Sequence, residues 1–85
     1  MKYGVEWLPE ASTGMLAPLL RAADKQQMLR AARTAENVLR RTPRSVGEAR
    51  GGNQRVMFVR PLLFVYHVDD STQTAFIERV RWAGF

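Results

Sequence analysis

The sequence predicts an α+β domain, ordered β-α-α-β-β-β, with two helices packed on one face of an antiparallel sheet of about four strands. Three observations carry that expectation. The opening "KYGVEWL" alternates apolar and polar residues, which is the period of a half-buried strand. "DKQQMLRAARTAENVLRRTP" repeats its apolar residues at helical spacing. The second half then offers three short apolar runs, "RVMFV", "LLFVYHV" and "TAFIERVRW", divided by turn chemistry.

In the first strand Tyr3, Val5 and Trp7 share one face and Lys2, Gly4 and Glu6 the other, and Pro9 ends the run. "PEASTGMLAPLLRAA" follows, with Leu16, Leu19, Leu20 and Ala23 at helical spacing. Gly14 and Pro18 interrupt it, so a short or kinked helix is expected. The next helix is better marked. Asp24 can cap it, and Gln27 three residues later completes a capping-box spacing. Its apolar stripe is Met28, Ala31, Ala32, Ala35, Val38 and Leu39; Arg30, Arg33, Asn37 and Arg40 occupy another face. Glu36 is spaced to pair with Arg33 and Arg40, and the basic face reads as solvated or as a phosphate-binding surface. Thr42-Pro43 ends the helix.

"RSVGEARGGNQ" reads as a loop with a turn at Gly51-Gly52-Asn53, and it lacks the Lys-Ser/Thr ending of a P-loop. Arg60-Pro61 and "DDSTQ" then separate the strands of a meander, in which Asp69-Asp70 cap a turn. In the middle strand Leu62, Phe64 and Tyr66 point one way, and Leu63 and Val65 the other. Both faces are apolar, yet two helices can cover only one. Burying a Leu, Val or Phe is worth roughly 1.5–3 kcal/mol, a large share of the roughly 5–15 kcal/mol that holds a domain together. The second face therefore predicts a cover: the chain's own tail, through Trp82 and Phe85, or another polypeptide.

Composition narrows the function classes. The chain of 85 residues makes one domain with one core. It has no cysteine and a single histidine, His67, so no metal site is expected. No cofactor is implied either. No apolar run is long enough to span a bilayer and the N-terminus does not read as a signal peptide, so a cytoplasmic protein without membrane contact is expected. Thirteen cations stand against eight acids, a formal net charge of +5, and all the cations except Lys2 and Lys25 are arginine. Arg forks match phosphate and carboxylate, which suggests an anionic partner; a GC-rich genome produces the same bias.

No catalytic constellation stands out. His67 is a candidate general base or a packing residue. On the last strand, strict alternation puts Arg79 and Arg81 with Ile77, and Phe76, Val80 and Trp82 opposite. Glu78 breaks the apolar face and so predicts an edge, a bulge or an arginine partner. With Arg55 and Arg60, the sheet can be basic on the side away from the helices. That surface suits RNA or an acidic peptide, and Tyr66 and Trp82 are candidates for stacking on a base. Solubilising arginines on an exposed face are the plainer alternative.

Taken together, "YGVEWLPEA", "MLRAARTAENVLRRTP", "GEARGGNQR" and "VMFVRPLLFVYHVDDSTQTAFIERV" resemble the RelE/ParE superfamily of toxins from type II toxin–antitoxin modules. The resemblance spans essentially the whole chain, and "LFVYHVDD" is its most telling phrase. It implies a growth inhibitor held inactive by a cognate antitoxin that would cover Leu63 and Val65, in a hetero-oligomer or beside a homodimer. RelE-like members cut mRNA on the ribosome without a metal; ParE-like members poison DNA gyrase. The cutting members often carry Arg three residues before the strand's Tyr, where this chain has Leu63. Their basic positions on the preceding strand match Val56 and Phe58, with Arg55 displaced by one. Arg55, Arg60, His67, Arg79 and Arg81 remain the catalytic candidates. Arg55, Arg60, Tyr66, Arg79 and Arg81 are the candidates for binding a nucleic acid or other target. A non-toxic RNA- or protein-binding module of the same fold is the alternative from a different class.

Overall fold

A computed structural model of the chain describes residues 2–21 and 25–83. The expected Asp24 cap, Ala23 and the Phe85 tail lie outside the described residues. The elements are β1 (Gly4–Trp7), α1 (Pro9–Arg21), α2 (Lys25–Arg41), β2 (Glu48–Ala49), β3 (Gln54–Val59), β4 (Leu62–Asp69) and β5 (Thr74–Trp82). They form one five-stranded sheet in the order β1-β5-β4-β3-β2. The meander β3-β4-β5 is antiparallel, as its short connections require. The sheet as a whole is mixed, because β1 lies parallel to β5. Such a pairing needs a long connection, and everything from α1 to β4 lies between the two strands. The unexpected strand, β2, is two residues pairing with β3 across the Gly51–Asn53 turn. A dipeptide is too short to show a period in sequence.

Both helices pack on one side of the sheet. α1 lies along β5, and α2 crosses β1, β3 and β4. The inward stripe of α2 is Met28, Ala31, Ala35 and Leu39, with Ala32 and Val38 packed at its margin. In α1 the inward residues are Ala11, Met15 and Leu19. Leu16 and Leu20, expected in the core, are exposed. Two stripes of four-residue spacing were available, and Gly14 helps select between them. A side chain at Gly14 would put its Cβ 3.0 Å from the Val80 carbonyl oxygen, so glycine lets the helix lie close to β5.

β4 is the centre of the sheet and alternates strictly. Leu62, Phe64, Tyr66 and Val68 are buried, and Leu63, Val65, His67 and Asp69 are partly exposed. Trp7 meets Phe64 edge to face, with ring centroids 6.1 Å apart. The Trp7 indole donates to Glu36 Oε2 at 2.6 Å. The expected pairing of Glu36 with Arg33 and Arg40 does not form among the described residues, because α2 turns this carboxylate toward β1. Asp69 closes the β4–β5 turn by accepting from the Ser71 amide at 2.9 Å and its hydroxyl at 2.6 Å. Those bonds hold the Asp69 carboxyl below its ordinary pKa.

Candidate functional site

The sheet face away from the helices is built in three cross-strand rows. Phe58, Leu63 and Arg81 make the first; Val56, Val65 and Arg79 the second; Gln54, His67 and Phe76 the third. Glu48 of β2 extends the second row at the edge. Between the second and third rows β5 carries one extra residue, a β-bulge opposite the Val65–Tyr66 step. This corrects the sequence expectation of strict alternation. Across the bulge Ile77 and Val80 both point into the core, while Phe76, Arg79 and Arg81 come to the open side. An added residue shifts a period of two by one, so every side chain beyond it changes face.

Glu78 is the inserted residue, and it organises a polar cluster. Its Oε2 lies 2.5 Å from His67 Nδ1, and Gln54 Nε2 donates to its Oε1 at 3.1 Å. The imidazole stacks on Phe76, with centroids 5.0 Å apart and planes 21° from parallel. His67 is thus oriented by two contacts, Glu78 at Nδ1 and Phe76 on the ring face, while Gln54 steadies Glu78. Only Glu78, out of place in an apolar run, hinted at this in the sequence. Gln54 was missed, since cross-strand register is not written in local pattern.

The centre of the face is apolar. Phe58 is 46% exposed, and Val56, Leu63 and Val65 are partly exposed around it. A shallow depression of about 370 Å³ opens between Gly47, Glu48, Arg50, Val56, Phe58 and Leu63. Arg81 flanks the patch, Arg60 stands exposed in the β3–β4 turn, and Arg79 places Nε 3.9 Å from Glu10 Oε2 of α1. The open face therefore has a greasy middle, an arginine margin and a His–Glu pair at one end.

Three candidates fall elsewhere. Tyr66 is fully buried, so its ring offers no stacking surface; it points at the helices. Its hydroxyl lies 2.8 Å from both the Pro43 and Val46 carbonyls, and its single proton donates to one at a time. Burial pushes the phenol above its ordinary pKa, with nearby Arg55 opposing the shift. Arg55 pairs with Tyr66 across the strands and so shares the inner face. Its guanidinium donates to the Val46 carbonyl at 3.1 and 3.3 Å, fastening the loop before β2. Arg55 is thus a loop clamp, not part of a basic open face. Trp82 is 53% exposed but stands opposite Leu62, on the helix side, and does not cover the open face. Gly47 belongs to the same clamp. Its φ of 72° is left-handed, and a Cβ there would run into the Val56 carbonyl oxygen.

An exposed bridge lies apart from the site. Arg44 donates twice to Asp70, at 3.1 and 2.7 Å, joining the end of α2 to the β4–β5 turn. That pairing lowers the Asp70 pKa and raises that of Arg44.

This architecture is an α+β domain with one finished and one unfinished sheet face, and it coincides with a known toxin fold. The chain is similar to the Mycobacterium tuberculosis RelBE2 toxin–antitoxin complex, with 20% identity, a TM-score of 0.79, and coverage of 96% of this chain and 99% of that one. It is similar to the chromosomal ParDE system of P. aeruginosa, with 15% identity and a TM-score of 0.68 over 98% of each chain. The isolated E. coli RelE toxin matches with 20% identity and a TM-score of 0.71, over 98% of this chain and 86% of that one. No family model and no curated protein matches the sequence. The protein therefore has the RelE/ParE toxin fold. Among the described residues, no helix is long and apolar enough to cross a membrane.

Proposed function

We propose that this chain is the toxin of a type II toxin–antitoxin module, a cytoplasmic growth inhibitor neutralised when a cognate antitoxin covers the open sheet face. The observation that carries the reading is the exposed apolar centre, Val56, Phe58, Leu63 and Val65, on a fold shared with toxins solved in antitoxin complexes. Apolar area of this kind is stabilised by an apolar partner, with the rim arginines adding orientation. Inducing the gene alone should stop growth, and co-expressing the adjacent small gene should restore it with a co-purifying complex. Leu63→Ser with Val65→Ser should weaken that complex by at least about tenfold, since desolvated apolar anchors carry binding energy. Harmless induction, or a complex indifferent to both changes, defeats the reading.

The same centre favours gripping a protein target over cutting RNA. A phosphodiester cut needs cations against the developing phosphorane charge, and Val56, Phe58 and Leu63 hold the positions where the family's cutting members carry them. Gyrase inhibition is accordingly the activity we infer first, tested by loss of supercoiling in a purified reaction.

One observation supports mRNA cleavage as a second reading: His67, oriented by Glu78, with Arg79 in the next row and Arg81 in the row beyond it. There His67 Nε2 would take the 2′-hydroxyl proton as that oxygen attacks phosphorus. The P–O5′ bond would break, leaving a 2′,3′-cyclic phosphate and a 5′-hydroxyl that takes its proton from water. Primer extension on cellular mRNA that shows discrete new ends, lost in His67→Gln and Arg81→Gln, would select this reading over the first.

A further inference from the structure

A second charged surface lies on the opposite side of the molecule. α2 carries five cations, Lys25, Arg30, Arg33, Arg40 and Arg41, against one carboxylate, Glu36. Most of the formal net charge of +5 therefore sits on this one helix. Glu36 is turned toward β1, its Oε2 accepting from the Trp7 indole at 2.6 Å, and it forms no ion pair with these arginines among the described residues. At 3.6 residues per turn Arg30, Arg33, Asn37, Arg40 and Arg41 fall within about a third of the helix circumference. All five are exposed, and they lie away from the buried stripe of Met28, Ala31, Ala35 and Leu39. Among the described residues, none of the four arginines makes an ion pair. Arg40 donates to Asn37 at 3.4 Å and finds no acid.

We propose that this face of α2 binds the phosphate backbone of a nucleic acid without reading its sequence. Like charges three, seven and eight residues apart share one side of the helix and repel, and a polyanion relieves that repulsion. The face contains Gln26, Thr34 and Asn37 between and beside its arginines, with a single exposed apolar side chain, Leu29, at its margin. One leucine at the margin gives a protein interface few of the desolvated anchors that carry its energy. Phosphate contacts need only cations and hydrogen-bond donors, which is what the face provides. From Arg30 to Arg41 the helix rises about 16 Å, enough to meet several successive phosphates. Arg40 and Arg41 sit in the last turn, where the helix dipole favours positive charge. Nothing in the argument depends on the toxin reading, which concerns the other side of the sheet.

The test is fluorescence anisotropy of the full chain with a labelled duplex DNA and a labelled single-stranded RNA, each titrated over a range of salt. Four neutralised phosphates give a slope of log affinity on log salt of about −3.6 for duplex and about −2.8 for single strand. Between about 50 and 200 mM salt, affinity for duplex should then fall roughly 100-fold. Replacing Arg30, Arg33, Arg40 and Arg41 by Gln should remove most of that slope, while Arg44→Gln, at a guanidinium already paired with Asp70, should leave it. The doubles Arg30→Gln/Arg33→Gln and Arg40→Gln/Arg41→Gln should each remove about half, which covers the case in which the quadruple variant fails to fold. The two probes distinguish DNA from RNA as the source of the backbone. The proposal falls if wild type does not bind at low salt, if the α2 variants keep the slope, or if Arg44→Gln abolishes it. It also falls if polyglutamate of equal charge competes as well as the nucleic acid, since the face would then be a general polyanion trap.

Discussion

The two faces of β4 are built from similar side chains and meet opposite fates. Leu62, Phe64, Tyr66 and Val68 lie under the helices and are buried; Leu63 and Val65, interleaved with them, are partly open to water. The helix face also satisfies its one polar group, the Tyr66 hydroxyl, on loop carbonyls. The open face instead gathers a histidine, a glutamate and arginines around an apolar centre. Burial was thus decided by what packs on each side, not by residue type. One face serves stability, and the other is available for a partner.

The sharpest way to break that comparison is truncation on each side. Phe64→Ala should destabilise by about 3–5 kcal/mol, the cost of a large core cavity. Leu63→Ala should cost under about 1 kcal/mol, as for partly exposed sites without special contacts. Urea denaturation of both variants checks the pair, and equal losses would mean that β4 is buried on both sides. Gly47→Ala tests whether the loop clamped by Arg55 needs its left-handed residue; strain of that kind costs on the order of 1–3 kcal/mol, read from the urea midpoint.

Tyr66→Phe is a finer probe of the helix face. It removes the donor shared by Pro43 and Val46, at a cost of about 1–2 kcal/mol. Because the folded phenol has a raised pKa, its contribution is complete below the unfolded value near 10. It declines as pH rises through the folded value, and thermal melts should show the phenylalanine variant lacking this alkaline loss. The smallest effect belongs to Asp70, whose folded pKa is lowered by Arg44. Its contribution is present above the unfolded carboxylate value near 3.9 and disappears as pH falls through the folded value. Asp70→Asn should lower the melting temperature slightly at pH 7 and converge with wild type as pH falls through the folded value, flattening the acid limb.

The α2 stripe, the three-strand meander and the two-faced character of β4 were legible because each rests on a local period. The stripe of α1 was misread in part: Leu19 packs on the core as expected, but its partner is Met15, while Leu16 and Leu20, at an equally good four-residue spacing, stay exposed. The candidate site was half legible. Leu63, Val65, His67, Arg79 and Arg81 do reach one face, but Arg55 and Tyr66 were expected on it and belong to the other. Trp82, a candidate for stacking, also stands on the helix side. The bulge at Glu78 is the reason that Arg79 joins Phe76 rather than Ile77.

By itself the amino-acid order determined the elements, the surplus of arginine and the excess of apolar surface on one strand. All of these follow from residue type and spacing within a few neighbours. Only the tertiary structure decided which apolar residues stay wet, that β1 runs parallel to β5, and that Glu78 meets His67 and Gln54. Those outcomes depend on register and on packing between segments distant along the chain. A one-residue change in register moves every side chain to the other face, and no local pattern records it.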